Sequence, residues 1–282
     1  MSRLLPILSL YLLIIAFVVI FFSSIVSAQQ AHLGFDRNNY PGDDSFPTLH
    51  KHFGFTGYWL NNPPGEHQNT WSGKREVLLR NNFGFLVLFN GRLDAEILKA
   101  RKSRMTPIAL GQKDAAAAIT AAQHEHFPAH TILFLDQEEG GRLLPEQSAY
   151  LFAWTEAIAA SSYLPGAYVS GQPVSDGAGQ TITTAQNIRE QVVARHLHPI
   201  ALFIYQDACP PSNGCTLTPP PITAAGISDI VAWQYAQSPR RPEITRSCAK
   251  TYASDGNCYV PDLPGLYVDL NVSLSPDPSH GR

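Results

Sequence analysis

Residues 132–135 read Ile-Leu-Phe-Leu without a polar interruption, and the next four positions are Asp136, Gln137, Glu138 and Glu139. An apolar run this short, closed by a polar cluster, predicts a strand buried on both faces. The acids then stand at its carboxyl end. Side chains alternate along a strand, so Asp136 and Glu138 share the face of Ile132 and Phe134. Gln137 and Glu139 turn the other way, unless a bulge at Gly140 and Gly141 re-aims them. Similar runs recur along the chain. Strands are predicted at 32–36, 55–60, 83–90, 166–170, 201–205, 230–235 and 266–272. Helical periodicity falls between them, at 43–53, 74–81, 114–126, 145–160 and 183–196. Asp114 is placed to cap the third of these helices, and Pro145 suits the first turn of the fourth. Residues 61–71, rich in Asn, Pro and Gly, read as a loop.

Eight strands mostly separated by helices, in the roughly 250 residues after position 28, have the rhythm of a (β/α)8 TIM barrel. The last two connections, 208–228 and 236–265, depart from that rhythm. They are rich in proline, hold all four cysteines and lack helical periodicity. The expected fold is therefore an α/β TIM barrel whose last helices are replaced by disulfide-pinned loops. A doubly wound open sheet is the alternative, but no Gly-x-Gly-x-x-Gly turn follows the first strand.

The amino terminus has a different pattern. Residues 4–26 are almost wholly apolar after Arg3, and Val26-Ser27-Ala28 is a small-x-small end. This predicts a secretory signal peptide over 1–28, or an anchor in the membrane if it is not cleaved. The barrel then occupies 29–273, with a C-terminal tail at 274–282. Either outcome exports the rest of the chain, as a secreted, periplasmic or cell-envelope protein. Cysteine usage agrees, because an oxidising compartment favours two disulfides among Cys209, Cys215, Cys248 and Cys258. Three pairings are open. The short-range one, Cys209 with Cys215 and Cys248 with Cys258, is the expectation. Tight Cys-x-x-Cys pairs are absent, which argues against zinc. A formal net charge of −3 leaves no basic excess for nucleic acid.

In a barrel, the carboxyl ends of the strands share one mouth. The candidates there are Asp36, Trp59, Asn90, Asp136 with Glu138, Tyr168, Tyr205 with Asp207, Trp233 with Tyr235, and Asp269 with Asn271. Acids and aromatics dominate. Glycoside cleavage needs a proton donor, a charge that stabilises an oxocarbenium-like state, and flat rings on which sugars stack. Two carboxylates brought together raise one pKa, which suits a site needing one protonated and one ionised group. The pairs His50/His52, His124/His126 and His196/His198 fall near predicted helix ends and read as capping or solvated residues, not metal ligands. Ser170-Gly171 lacks the Gly-x-Ser-x-Gly elbow of a hydrolase nucleophile. Asn271-Val272-Ser273 is a glycosylation triplet set in a predicted strand, where it is discounted. No cofactor is called for. The expected partner is a glycan or cell-wall polymer.

Four segments taken together add a resemblance. Gly34-Phe35-Asp36, Asp136-x-Glu138, Trp233-Gln234-Tyr235 and Val268-Asp269-Leu270-Asn271 follow the order of the family-25 glycoside hydrolases, the Chalaropsis-type lysozymes. A bacterial glycoside hydrolase-like family of unknown function, with a mycobacterial exported prototype, is more similar still. Its pattern resembles residues 34–40, 58–64, 85–91 and 134–141 here. The resemblance implies a barrel acting on β-1,4 bonds of N-acetylated cell-wall glycans such as peptidoglycan. It implies Glu138 as the general acid and Asp136 as the group that orients the N-acetyl substituent or serves as partner carboxylate. Asp36 and Asp269 would line the same mouth. Trp59, Asn90, Tyr168, Tyr205, Trp233 and Tyr235 are the expected substrate-binding residues. Arg37-Asn38-Asn39 stands where those lysozymes have small residues, and the 61–71 loop is not theirs. A barrel that binds glycan without cleaving it, or an envelope structural protein, is the alternative.

Overall fold

Eight strands close into a barrel in the computed structural model, which describes residues 30–282; the expected signal segment lies outside them. The barrel strands are β1 (His32–Asp36), β2 (Phe55–Trp59), β3 (Gly84–Asn90), β4 (Ile132–Gln137), β5 (Leu164–Ser170), β8 (Ala201–Tyr205), β9 (Ala232–Ala236) and β10 (Asp269–Ser273). A small ribbon of β6 (Val174–Ser175) and β7 (Thr181–Ile182) lies between β5 and β8 in sequence and had no counterpart in the sequence reading. Neighbours run parallel from β1 round to β9. The last strand does not. β10 is antiparallel to both β9 and β1 and closes the barrel between them. The connection across 237–268 contains only a 3-10 segment, Arg246–Thr251, so no helix carries the chain back for a parallel return. Reversal puts the first residue of β10, Asp269, at the mouth, in register with Asp36 at the end of β1.

Register decides what fills the interior. Leu88, Phe134 and Gly166 are partners across β3, β4 and β5, and so share one face. Phe134 meets Phe203 edge-on, and Phe203 packs 4.4 Å from Tyr168. Glycine makes room for such rings. A Cβ on Gly34 would come within 2.1 Å of the Phe55 ring, and one on Gly166 within 2.5 Å of the Phe134 ring. The barrel is thus a packed core with its chemistry confined to the mouth.

The helices are α1 (Phe46–Leu49), α2 (Arg75–Arg80), α3 (Asp94–Arg101), α4 (Pro107–His124), α5 (Pro145–Ala159) and α6 (Thr184–Arg195). The helix expected over 43–53 shrinks to α1 behind a 3-10 turn at Asp43–Ser45. Another expectation fails in α4. That helix begins at Pro107, with Thr106 Oγ1 accepting from the Ala109 amide, so Asp114 is not its cap. Asp114 instead sits buried in mid-helix. It takes two hydrogen bonds from Arg92, at 2.8 and 3.0 Å, and one from the Tyr150 hydroxyl at 2.9 Å.

The disulfide expectation is also corrected. Cys209 pairs with Cys248 and Cys215 with Cys258, with Cα–Cα distances of 5.6 and 5.2 Å. Short-range pairing would have stapled each loop to itself. The two loops instead lie together beside β8, β9 and β10, and each bridge ties one loop to the other. At the opposite end of the barrel, the last residues of the chain dock against β3 and β4. The Ser279 amide donates to the Phe85 carbonyl, the Ile132 amide to the Ser279 carbonyl, and Arg75 to the Gly281 carbonyl. Among the described residues no helix is long and apolar enough to cross a membrane.

Candidate functional site

Asp36, the last residue of β1, points into the mouth and is nearly buried. Its Oδ2 accepts from Gln234 Nε2 at 2.9 Å and from Asn271 Nδ2 at 2.7 Å. The side chain fits because β2 offers Gly57 there; a Cβ at that position would lie 2.6 Å from Asp36 Cβ. Burial raises its pKa, and the two amide donors oppose the rise without cancelling it.

Asp136 lies deeper, and its Oδ1 has no hydrogen-bond partner among the described residues. Burial first, then the charges of Glu138 and Asp36, push its pKa well above the usual carboxylate range. Gly91 lets the backbones close at this point, since a Cβ would come within 2.3 Å of the Asp136 carbonyl oxygen. Glu138 follows just beyond β4 and is the solvent-exposed member of the group. The Tyr205 hydroxyl donates to its backbone carbonyl and fixes the turn. Its pKa is raised, by desolvation first and by Asp36 second, with Arg241 pulling the other way. Solvent reaches the residue, so the rise in Glu138 is the more modest of the two. Asp269 is half-buried, accepts from the Ser238 amide at 2.5 Å, and is raised well above its ordinary value by burial and by Asp36.

The mouth therefore brings together Asp36, Asp136, Glu138 and Asp269. Glu139 leaves the group, as strand alternation predicts. It accepts from the Asp94 amide at the start of α3, from Gln137, and from Gln147 in the first turn of α5. That places a fixed carboxylate against two helix N-termini, where negative charge is favoured.

Sequence reasoning missed Gln234. Its Nε2 donates to Asp36 and, at 3.5 Å, to Asp269, while its Oε1 accepts from Tyr168 at 2.6 Å and from Gln237 at 2.9 Å. The period of two contained the signal, because Gln234 is the register partner of Tyr205. Its neighbours Trp233 and Tyr235 must then face outward. Both are fully buried; Trp233 donates to the Gln206 carbonyl and Tyr235 to the Thr216 carbonyl. The expectation that these two bind substrate is overturned, since neither offers a surface on which a sugar could stack.

The other expected residues line or support the mouth. Trp59 is nearly buried and donates to the Arg37 carbonyl at 3.2 Å. Asn90 pins the 61–71 loop, donating from its side chain to the Asn62 carbonyl and from its backbone amide to Asn61 Oδ1. Tyr168 and Tyr205 form a buried aromatic wall with centroids 5.6 Å apart. Asp207 is wholly buried and engaged by Arg241 and Gln172, so it stands apart from the carboxylate group. Asn271 is buried inside the barrel as a donor to Asp36, which closes it to glycosylation.

Two hollows flank the carboxylates. One, of about 240 Å³, is lined by Asn90, Arg92, Asp136 and Glu138 with Pro64 and Gly65. The other, of about 290 Å³, is lined by Arg37, Glu66, Tyr267 and Asp269 among others. The 61–71 loop contributes to both. Among the described residues no group of three or more His, Cys, Asp or Glu is arranged to hold a metal ion. Chemically, the mouth offers an accessible carboxyl group biased toward its protonated form beside buried carboxyl groups in a polar floor. Such an arrangement can donate a proton to an oxygen and stabilise positive charge next to it.

No family model and no curated protein matches the chain. Solved structures do resemble its fold. An uncharacterized protein of B. stearothermophilus superposes with a TM-score of 0.51 at 17% identity, over 86% of this chain and 95% of that one. The Tat-secreted protein Rv2525c of Mycobacterium tuberculosis gives a TM-score of 0.51 at 12% identity, over 88% and 96%. The catalytic domain of endolysin ply40, from bacteriophage P40 of Listeria monocytogenes, is a looser likeness, with a TM-score of 0.45 at 14% identity over 86% and 93%. At these identities the likeness extends to the barrel fold alone.

Proposed function

We propose that this chain is an exported glycoside hydrolase that cleaves β-1,4 bonds in N-acetylated cell-wall glycans, with Glu138 as its general acid. The observation that carries the reading is the placement of Glu138. It alone among the four carboxylates is freely open to a ligand, and its environment favours the protonated form. A glycosidic oxygen seated over it receives the proton as the bond to the anomeric carbon breaks. Asp36, whose rise is opposed by two amide donors, supplies negative charge below the developing oxocarbenium, and Asp136 supplies a hydrogen-bond acceptor. The unpartnered Asp136 Oδ1 is suited to receive a substrate N–H, such as that of an N-acetyl group. Gln234 holds Asp36 and Asp269 at fixed spacing, so little reorganisation is needed at the moment of reaction. The two inter-loop disulfides support the exported part of the reading.

The test is release of new reducing ends from purified peptidoglycan by residues 29–282, measured from pH 4 to 8 beside a pull-down of the same polymer. Activity should fall as pH rises through the raised pKa of Glu138, because the donor is then deprotonated. Binding without release at every pH would instead favour a glycan-binding barrel.

A further inference from the structure

We infer that the hollow beside Asp269 is an anion-recognising subsite, in which Arg37 takes a carboxylate carried by the glycan. The inference rests on the glycan reading above and adds to it a charged substrate class. Three guanidinium groups surround the mouth. Arg92 is paired with Asp114, and Arg241 with Asp207. Arg37 makes no side-chain hydrogen bond or ion pair among the described residues. Its Nε and Nη1 are buried without partners. A partly desolvated guanidinium with unmet donors is costly, and a carboxylate at its remaining nitrogen, Nη2, offsets the buried charge.

The surroundings orient this group and leave Nη2 as the nitrogen a ligand can reach. Arg37 lies over the ring of Tyr267 at 5.6 Å, and Tyr267 is 40% exposed on the wall of the hollow. Its backbone is fixed by the Trp59 indole. The nearby acids are engaged by other donors, although the charge of Asp269 reaches Arg37. Glu66 accepts from Asn39 at 2.8 Å, while Asp269 is tied to the Ser238 amide and to Gln234. Neither forms a salt bridge with Arg37. Arg37 stands next to Asp36 in sequence, so a sugar charge held here lies one short step from the carboxylates.

Calorimetric titration with a matched pair of sugars tests the inference. The probe is a tetrasaccharide of alternating N-acetylglucosamine and N-acetylmuramic acid, with its lactyl carboxylates free or reduced to alcohols. Titrations use the Glu138→Gln protein, so that the sugar stays intact. The free acid should bind about tenfold or more tightly than the alcohol, the size expected of one charge-assisted hydrogen-bonded pair. The preference should shrink as salt rises from 50 to 500 mM. Adding Arg37→Gln should level the two sugars without weakening the neutral one, and Arg37→Lys should keep part of the preference. Equal binding of both sugars, failure to bind either, or an undiminished preference in Arg37→Gln would overturn the inference. Reducing-end release from the same sugars by the wild-type chain is scored separately. Charge-selective binding with no release would retire the hydrolase reading and leave the subsite standing; release with no selectivity would do the reverse.

Discussion

Gln234 shows how one amide can organise several acids. It donates to Asp36 and Asp269 while Tyr168 and Gln237 hold its oxygen, so its orientation is fixed by four partners. Below it, Asp136 is held at a cost. A carboxyl group whose folded pKa is raised binds its proton more tightly folded than unfolded, so its contribution is most favourable below the unfolded value, near pH 4, and is lost as pH rises through the folded value. Asp136→Asn should therefore stabilise the fold at pH 7 by about 0.5–2 kcal/mol while lowering turnover. The gain should vanish below about pH 4, where both states of the wild type are protonated. Denaturant titrations at pH 3.5 and 7 check this; equal effects at both would mean that charge burial is not the cause. The inward face of Asp136 and the outward turn of Glu139 were legible from a period of two. The same period sets Gln234 on the inner face between two outward rings, and the bulk of those rings masks the amide in the sequence.

Among the elements, β10 and α4 carry the main differences from expectation. The sequence pattern sets Asp269 near the carboxyl end of a strand, and the structure sets it at the amino end of β10. It reaches the mouth because β10 runs antiparallel, and a hydrophobic pattern has no direction in it. α4 holds seven alanines, six of them after Asp114, so Asp114 reads as a cap before a run of small residues. Its partners Arg92 and Tyr150 come from elsewhere in the chain, so only the fold could reveal the buried cluster that ties α4 to the rim of the small hollow. Removing that acid leaves Arg92 and a buried phenol without their partner. Asp114→Ala should cost about 1–3 kcal/mol, the lower side of a broken buried pair because Arg92 is partly exposed. It should also loosen Arg92 in the hollow. A thermal melt with no shift would contradict the role given to this cluster.

For the whole molecule, the rhythm of strands and helices made the closed barrel legible, while the order of the cysteines could not supply their pairing. Each bridge joins the β8–β9 connection to the β9–β10 connection, closing loops of 39 and 43 residues in a region with no α-helix. In the chain-entropy model, a loop of that length is worth about 4 kcal/mol, and less for the second of two overlapping bridges. Paired replacement of Cys215 and Cys258 by Ala should lower the unfolding free energy accordingly. Peptide mapping under non-reducing conditions should return the two inter-loop pairs. The barrel, its mouth and its loops converge on Glu138, and one comparison tests that convergence most directly. Purified peptidoglycan is incubated with wild type and with Glu138→Gln, and reducing ends are counted while binding is measured on the same polymer. Wild type should release ends, and Glu138→Gln should bind equally while losing about 10²–10⁴-fold in rate, the usual worth of a general acid. A Glu138→Gln protein that cleaves at nearly the wild-type rate would contradict the assignment.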